Sequence, residues 1–356
     1  MHRPLFLLAL LGVAVVADAH STVSSTVACA KSAALRKRFA AHLSPASDDP
    51  QPIAGLSITD VIKNFLTIQP NFTTSGLVGS NEMTVASKVN GLTSMELELD
   101  SVFTITGATL DGRTITVTRL DSKTIRANFD VAYNTGQQFV LKISYSGIPN
   151  SSFFGSIEFY THAGSQAVST LSEPYYSYTW WPVKEDNTDK ALLDIDLILP
   201  TAMLGCSSGI RTGITTLGGG LRKHSWRGVN PMAPYLVNFS ATNYNEFTDT
   251  FTGTGGPMPM QFFVFPENNT SALQTAWKNT KNMIATYQNF YGPYPFLNEK
   301  YGIYQFPFSG GMEHQTMTGQ GGGGLTSESV TCHELSHQWW GDNVTCATWS
   351  DIWLNE

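Results

Sequence analysis

The sequence has little charge, few cysteines and no surplus of basic residues. Only 14% of the residues are charged, and 21 Lys+Arg stand against 28 Asp+Glu, a formal net charge of −7. A nucleic-acid-binding protein normally needs a basic face, so this balance argues against that class of partner. Four cysteines in 356 residues are too sparse for a scaffold stapled by disulfides.

Long hydrophobic runs are missing after the N-terminus, so no interior segment is predicted to span a bilayer. The start has basic residues, an apolar run from Leu5 to Ala17 and a small-residue pattern that ends at Ala19. This order predicts a secretory signal peptide over residues 1–19. A membrane anchor is the alternative, but a spanning helix needs roughly 20 apolar residues. We expect export to the periplasm, the medium or the cell surface, with no stable membrane insertion after signal removal.

Hydrophobic residues are plentiful, at 42% of the chain, and a length of 356 residues favours two domains. Residues 20–54 predict a short helix and a linker. Residues 55–266 alternate apolar and polar positions between Gly, Asn, Asp and Pro turns, which is typical of a mostly antiparallel β domain. Residues 267–356 form the predicted second domain, which contains the helical patterns.

Within the second domain, residues 271–292 place apolar side chains along one face and predict a single helix. Residues 299–308 predict a strand, and the glycine run at 319–329 predicts a flexible loop. Residues 329–341 predict a second helix. Residues 349–356 predict a further helix that folds back toward it.

Two histidines four residues apart carry the strongest chemical signal. His333 and His337, in "HELSH", project from one helix face, so both imidazoles can reach one zinc ion. Glu334 can approach a metal-bound water as a general base, and Glu356 can supply a third ligand. Two His, one Glu and an open position are the arrangement of catalytic zinc sites. A purely structural histidine pair is the alternative, which the spaced Glu356 disfavours.

The stretch "FSGGMEHQTM" precedes this motif. Gly310 and Gly311 allow the backbone to approach a ligand closely, and a strand here could bind a peptide by main-chain hydrogen bonds. Glu313 at its end could hold a free α-ammonium group through a charge-assisted bond. An exposed Glu in a turn is the alternative. The first reading predicts a peptidase that acts at free N-termini.

Together, "GGMEH" and "HELSHQWWGDNVTCATWSDIWLNE" closely resemble the zinc aminopeptidase N family, gluzincin aminopeptidases that include leukotriene-hydrolase-like enzymes. "YGPYPF", "SEPYYSYTWWPVKEDNTDKALLDIDLILP" and "NPMAPYLVNFSATNY" resemble other parts of these proteins. The resemblance covers most of the chain from about residue 55 onward. It implies an α+β multidomain fold: an N-terminal antiparallel β saddle or sandwich domain, followed by the first half of a thermolysin-like α/β zinc metallopeptidase domain.

The resemblance also implies roles for single residues. His333, His337 and Glu356 would bind one Zn²⁺ per chain, with Glu334 as the general base. Glu313 would anchor the substrate amine. Four further positions are implied in substrate binding: Gly310, Gly311 and Met312 along the substrate strand, and Glu173 as a second amine anchor. The expected partners are peptides with free N-termini.

This sequence departs from the family at several positions. Val183 replaces a usual cysteine, and His314 stands where many relatives have Asn. The family's transition-state-stabilising tyrosine and its helical C-terminal domain would follow Glu356, so we expect the chain to be an incomplete fragment. Two other functions remain open: a thermolysin-like zinc endopeptidase, and a non-catalytic β-rich binding module with a vestigial metal site.

Overall fold

The computed structural model of the protein describes residues 56–150 and 156–355. The predicted signal peptide, the predicted helix and linker over residues 20–54, and Glu356 lie outside the described residues. Strands dominate the described part. In its first portion they are β1 (Thr59–Asn71), β2 (Gly76–Ser87), β3 (Leu92–Glu98), β4 (Phe103–Leu110), β5 (Arg113–Thr114), β6 (Thr116–Arg119), β7 (Thr124–Tyr133), β8 (Gln138–Gly147), β9 (Ser156–His162), β10 (Ser165–Leu171), β11 (Leu192–Pro200), β12 (Leu204–Ser207), β13 (Ile210–Thr216), β14 (Leu221–Arg227) and β15 (Phe239–Thr242).

An eight-stranded sheet forms the centre of this β region, in the order β13-β14-β11-β1-β2-β8-β4-β5. Its strands form because apolar residues alternate with polar ones, so that about every second side chain of β2 is buried. Strand β1 runs antiparallel to β2 and parallel to β11, with Leu66 opposite Ile195. The predicted antiparallel pattern therefore holds for most pairs of this sheet.

Two smaller sheets complete the β region, in the orders β12-β15-β10-β9 and β3-β7-β6. Large aromatic side chains fill the space between the layers, and Trp180, Trp181 and Trp226 are almost completely buried. Burial of such side chains is worth roughly 1.5–3 kcal/mol or more each. This core therefore fixes the position of the turns that follow β10.

The remaining strands form a five-stranded sheet in the order β16-β17-β18-β20-β19. They are β16 (Asn245–Phe251), β17 (Met258–Val264), β18 (Tyr301–Gln305), β19 (Gly310–Met312) and β20 (Thr318–Gly321). Strand β17, which the sequence assigned to the β domain, pairs parallel with β18. One sheet thus joins both sides of the predicted boundary near Glu267, and that boundary stays a prediction.

Three helices accompany this sheet within the described ranges: α1 (Ser271–Lys278), α2 (Thr280–Tyr291) and α3 (Glu328–Ser336). The prediction of a single helix over 271–292 is wrong, because it is divided at Asn279. There the Thr280 hydroxyl donates to the Trp277 carbonyl at 2.6 Å and competes with the helical bonding pattern. Helices long and apolar enough for a bilayer are not found within residues 56–150 and 156–355.

One further prediction of local structure needs correction. The glycine run is not simply a flexible loop, since it contains most of β20 and a 3₁₀ turn, Gly322–Gly324. A Cβ on Gly321 would collide with the carbonyl groups of Phe306 and Phe308, so glycine permits this close packing. The helix predicted over residues 349–356 is present as a 3₁₀ helix, Trp349–Leu354.

Candidate metal centre

The two histidines of the motif meet at the end of α3. Ser327 caps the start of this helix by accepting a hydrogen bond from the Val330 amide at 3.4 Å. His333 and His337 follow on one face, and their Nε2 atoms lie 3.1 Å apart. Potential ligand atoms of His333, Glu334 and His337 all lie within 4.8 Å of one another. This compact group fits a metal ion with nitrogen and oxygen ligands.

The protonation of His337 also suits a metal ligand. Its Nδ1 lies 3.1 Å from the carbonyl oxygen of Trp340, which can only accept a hydrogen bond. We therefore assign the proton to Nδ1, which leaves the Nε2 lone pair directed at the neighbouring imidazole. A carbonyl that holds the second nitrogen of a histidine is the usual support for a metal-bound imidazole.

Strand β19 lies directly against Glu334, which is fully buried. A Cβ placed on Gly311 would collide with the Glu334 carboxylate, so only glycine allows this approach. Gly310 and Met312 complete the strand, and both are buried. The three residues predicted to line the substrate thus run past the predicted general base.

Glu313 follows β19 and is also buried. The Nδ2 atom of Asn355 donates a hydrogen bond to Glu313 Oε1 at 3.3 Å. The chain that leads to Glu356 therefore reaches the Glu313 carboxylate. Glu356 itself lies outside the described residues, so its role as third ligand stays a prediction.

Glu173 lies in the turn after β10 and is fully buried. Burial first, and then the charge of Glu173, raise the pKa of the Cys346 thiol to about 11. The next residues pack in the same direction: the ring of Tyr175 lies 5.5 Å from that of Trp349. The turn that contains Glu173 and Tyr175 thus packs against the segment that leads to Asn355. The role of Glu173 as second amine anchor stays a prediction.

Cys332 does not belong to the metal group, although it precedes His333. It packs beside the apolar cluster of α1, α2 and the adjoining sheet, and burial raises the pKa of its thiol. Cys206, Cys332 and Cys346 are free thiols in the described part of the chain, and Cys29 lies outside it.

Sequence reasoning did not single out Gln338 or Asn355. The Gln338 side chain is buried, and its Nε2 donates to the Glu313 carbonyl at 3.0 Å. Its Oε1 accepts from the Thr316 amide at 2.8 Å. One signal was available: a neutral polar residue stands between His337 and two tryptophans, where burial requires hydrogen-bond partners.

The Peptidase family M1 domain matches residues 323–356, which hold α3 and the HELSH motif. The chain is 27% identical over 252 residues to glutamyl aminopeptidase of Rattus norvegicus, covering 65% of this chain and 26% of that protein. It is 25% identical over 314 residues to aminopeptidase 2 of Candida albicans, covering 82% of this chain and 33% of that protein. The chain thus spans between a quarter and a third of these relatives' length.

Solved structures show the same fold. The M1 zinc metallopeptidase from Deinococcus radiodurans aligns with a TM-score of 0.72 at 23% identity, covering 84% of this chain and 68% of that chain. A mutant of that protein bound to a Tyr-Ser-Ala substrate aligns with a TM-score of 0.73 at 22% identity over the same shares. The predicted α+β fold class is confirmed, and the described residues are mostly β, with antiparallel sheets and few helices.

These comparisons also confirm the resemblance to the aminopeptidase N family, with the chain similar to the N-terminal part of its members. The M1 match and the His–Glu–His group support zinc as the metal. The chemistry of the donor set agrees, because imidazole nitrogen and carboxylate oxygen are common ligands in catalytic zinc sites.

Proposed function

We propose that this protein, which is similar to the M1 zinc aminopeptidases, is an exported zinc metallo-aminopeptidase that removes N-terminal residues from peptides. One observation carries the proposal: the buried Glu313 carboxylate lies at the end of β19, and β19 runs directly against Glu334 beside the histidine pair. An acid that can hold a free amine therefore lies a short strand away from the group proposed to activate water.

The division of labour follows from these positions. His333 and His337, together with Glu356, would hold a zinc ion, which lowers the pKa of a bound water toward about 7 and polarises a carbonyl. The Glu334 carboxylate would take the proton from the attacking water and pass it to the departing nitrogen. Glu334 is completely buried, which would place this proton transfer inside the protein.

Strand β19 would align the substrate. It is the last strand of its sheet and pairs with β20 on one side, with Gly311 opposite Gln320. A peptide that added along the other side would gain main-chain hydrogen bonds over Gly310, Gly311 and Met312. Its ammonium group would meet Glu313, with Glu173 as a second anchor, through charge-assisted bonds.

Export is proposed from the predicted signal peptide, residues 1–19. Expression in a secreting host, followed by N-terminal mass analysis, tests this part separately. A mature N-terminus at His20 would support it, whereas an intact Met1 in the cytosol would contradict it.

The catalytic proposal is tested on the full-length protein with a short peptide and its N-acetylated form, before and after chelation of zinc. We expect chelator-sensitive release of amino acids from the free-amine peptide, with the N-acetylated peptide cleaved only at a much slower background rate. Cleavage of both peptides at similar rates would indicate the thermolysin-like endopeptidase instead. Cleavage of neither would favour the non-catalytic binding module.

A matched pair of variants sharpens this test. Glu313→Gln removes the proposed amine anchor, and we expect kcat/KM for the free-amine peptide to fall roughly 10–100-fold, the worth of a charge-assisted hydrogen bond. Glu299→Gln is the control: Glu299 is equally buried, but its Oε1 accepts from the backbone amides of Val229 and Asn230 at 2.6 and 2.8 Å. Equal losses in both variants would contradict the anchor.

A further inference from the structure

We propose that Gln338 is a positioning residue that fixes the distance between the metal-binding helix and Glu313, and thereby sets which peptide bond reaches the reacting centre. This inference rests on the proposed aminopeptidase function. In this role Gln338 does not touch the substrate. It acts through the backbone of Glu313, the residue proposed to hold the substrate amine.

The carboxamide of Gln338 connects the two parts directly. Gln338 follows His337 immediately, in the turn after α3, and is completely buried. Its Nε2 donates to the carbonyl oxygen of Glu313 at 3.0 Å, and its Oε1 accepts from the amide of Thr316 at 2.8 Å. Both ends of the turn after β19 are thus attached to the residue next to a proposed zinc ligand.

The orientation of this amide is determined by its neighbours. The Thr316 amide, which can only donate, lies 2.8 Å from Gln338 Oε1, and the Glu313 carbonyl, which can only accept, lies 3.0 Å from Nε2. The oxygen therefore faces the Thr316 amide, and the NH₂ group faces the Glu313 carbonyl. The single Tyr294 hydroxyl proton is shared between Gln338 Oε1 at 3.1 Å and the Lys300 carbonyl at 3.2 Å. Reversing the amide would place its NH₂ group against the Thr316 N–H and its oxygen against the Glu313 carbonyl oxygen, so the observed orientation is strongly preferred.

The turn needs such support because of Thr316. This β-branched residue has a φ of 63°, in the left-handed region that L-residues rarely adopt. Lys300 Nζ donates to the Thr316 carbonyl at 2.9 Å, and the Gly209 amide donates to the Thr316 hydroxyl at 3.0 Å. With Gln338, these bonds hold a backbone conformation that costs about 1–3 kcal/mol. Without the Gln338 bonds, the turn would relax and carry Glu313 with it.

A small displacement of Glu313 has a large chemical consequence. The proposed anchor and the proposed base act on two ends of one residue of the substrate, so their separation selects the bond to be cleaved. A misplacement of about 1 Å can reduce a rate about 100-fold. If the Gln338 side chain were purely structural, its removal would lower the stability of the protein. The ratio of kcat/KM for the free-amine and the N-acetylated peptide would then stay the same.

The test compares Gln338→Met with Gln305→Met in the full-length protein. Gln305 is a buried glutamine of β18, and its Oε1 accepts from the Phe265 amide at 3.1 Å, away from Glu313. Three quantities are measured: kcat and KM for a free-amine tripeptide and its N-acetylated form, calorimetric binding of both peptides to metal-free protein, and the unfolding midpoint.

We expect Gln338→Met to lower the free-over-blocked ratio of kcat/KM about 100-fold, mainly through kcat. In metal-free protein the preference is the ratio of the Kd for the N-acetylated peptide to the Kd for the free-amine peptide. We expect this ratio in Gln338→Met to be at most half of the wild-type ratio. Gln305→Met should lower the unfolding midpoint but change the kinetic ratio less than about twofold, since it moves no substrate-anchoring group. An unchanged ratio in Gln338→Met, or an equal change in Gln305→Met, would overturn the inference.

Tyr294→Phe covers the case in which Gln338→Met does not fold. It keeps the aromatic ring but removes the hydroxyl that the Gln338 Oε1 atom shares with the Lys300 carbonyl, so the same ratio should fall by a smaller factor. An unchanged ratio in this variant would also overturn the inference. The wild-type protein separates the two proposals: if it neither prefers the free amine in binding nor cleaves it, the aminopeptidase function fails first, and the positioning role fails with it.

Discussion

The β region and the metal centre hold their buried polar groups in different ways. In the β region several buried carboxylates form ion pairs: Lys184 Nζ lies 2.6 Å from Asp189, and Lys123 Nζ lies 2.8 Å from Glu98. At the metal centre, two neutral amides contact Glu313. Gln338 holds the Glu313 backbone, and Asn355 donates to its carboxylate.

This difference distinguishes carboxylates that stabilise the fold from a carboxylate that is proposed to bind a substrate. A buried ion pair neutralises both partners, which suits a carboxylate with a purely structural task. Glu313 is proposed to bind an ammonium group, and a lysine in direct contact would compete with that group. An amide orients a carboxylate and leaves its negative charge in place. Neutral support around a buried carboxylate is therefore consistent with a binding role.

The largest expected effect comes from removing the proposed general base of the metal centre. Glu334→Gln keeps the size of the side chain but removes the proposed base, so we expect kcat to fall about 10²–10⁴-fold. The protein should still bind one equivalent of zinc, because the imidazoles of His333 and His337 are untouched. Steady-state kinetics and metal analysis check this, and activity close to the wild type would refute the general-base role.

The second largest effect is expected from breaking a buried ion pair of the β region. Lys184→Met removes the nearest cation of buried Asp189, whereas Lys88 Nζ remains 3.9 Å from Asp189 Oδ1. We therefore expect a loss of roughly 3 kcal/mol in the free energy of unfolding, the lower end for a broken buried pair. Lys142→Met is the control: Lys142 lies 3.5 Å from Glu82 with both side chains 42% exposed, and should cost less than about 1 kcal/mol. Denaturant titrations measure both. A similar small loss in both variants would show that burial does not decide the worth of these pairs.

The smallest effect is a pH dependence of stability that comes from a buried lysine between the two regions. Lys300 is buried, its Nζ lies 5.5 Å from the ring of Trp226, and burial lowers its pKa to about 7 from 10.5. Between these two pKa values the unfolded chain binds more protons than the folded protein, so this residue makes stability rise with pH. The wild type should gain stability relative to Lys300→Met as the pH rises from about 7 to 9. A constant difference across that range would contradict the lowered pKa.

Local rules predicted the parts of the site that depend on one element. The spacing of His333 and His337 predicted a shared helix face, and the structure places their Nε2 atoms 3.1 Å apart. The glycines before Glu313 predicted close backbone approach to a ligand; the structure shows a close approach of Gly311 to Glu334, and the approach to a ligand stays a prediction. Their roles as ligands and substrate contacts stay predictions.

Contacts between distant segments were out of reach of the same rules. Nothing in the local pattern joins Gln338 to Thr316, or β17 to β18, because both contacts depend on how the sheet assembles. The division of the helix at Asn279 was missed because the Thr280 hydroxyl competes for a carbonyl, an effect that periodicity does not register. The 3₁₀ helix Trp349–Leu354 packs on the aromatic rings of Tyr175 and Tyr235, far away in the sequence.

The central strand β1 has consequences for the newly made chain. Its partner β2 follows at once, but its other partner, β11, comes about 120 residues later. At roughly 5–20 residues per second, ribosomal synthesis leaves that second edge open for on the order of 10 s. During this interval an edge that includes Leu66 and Ile68 can pair with other nascent chains. Production of the protein should therefore depend on chaperones that cover this strand until β11 emerges.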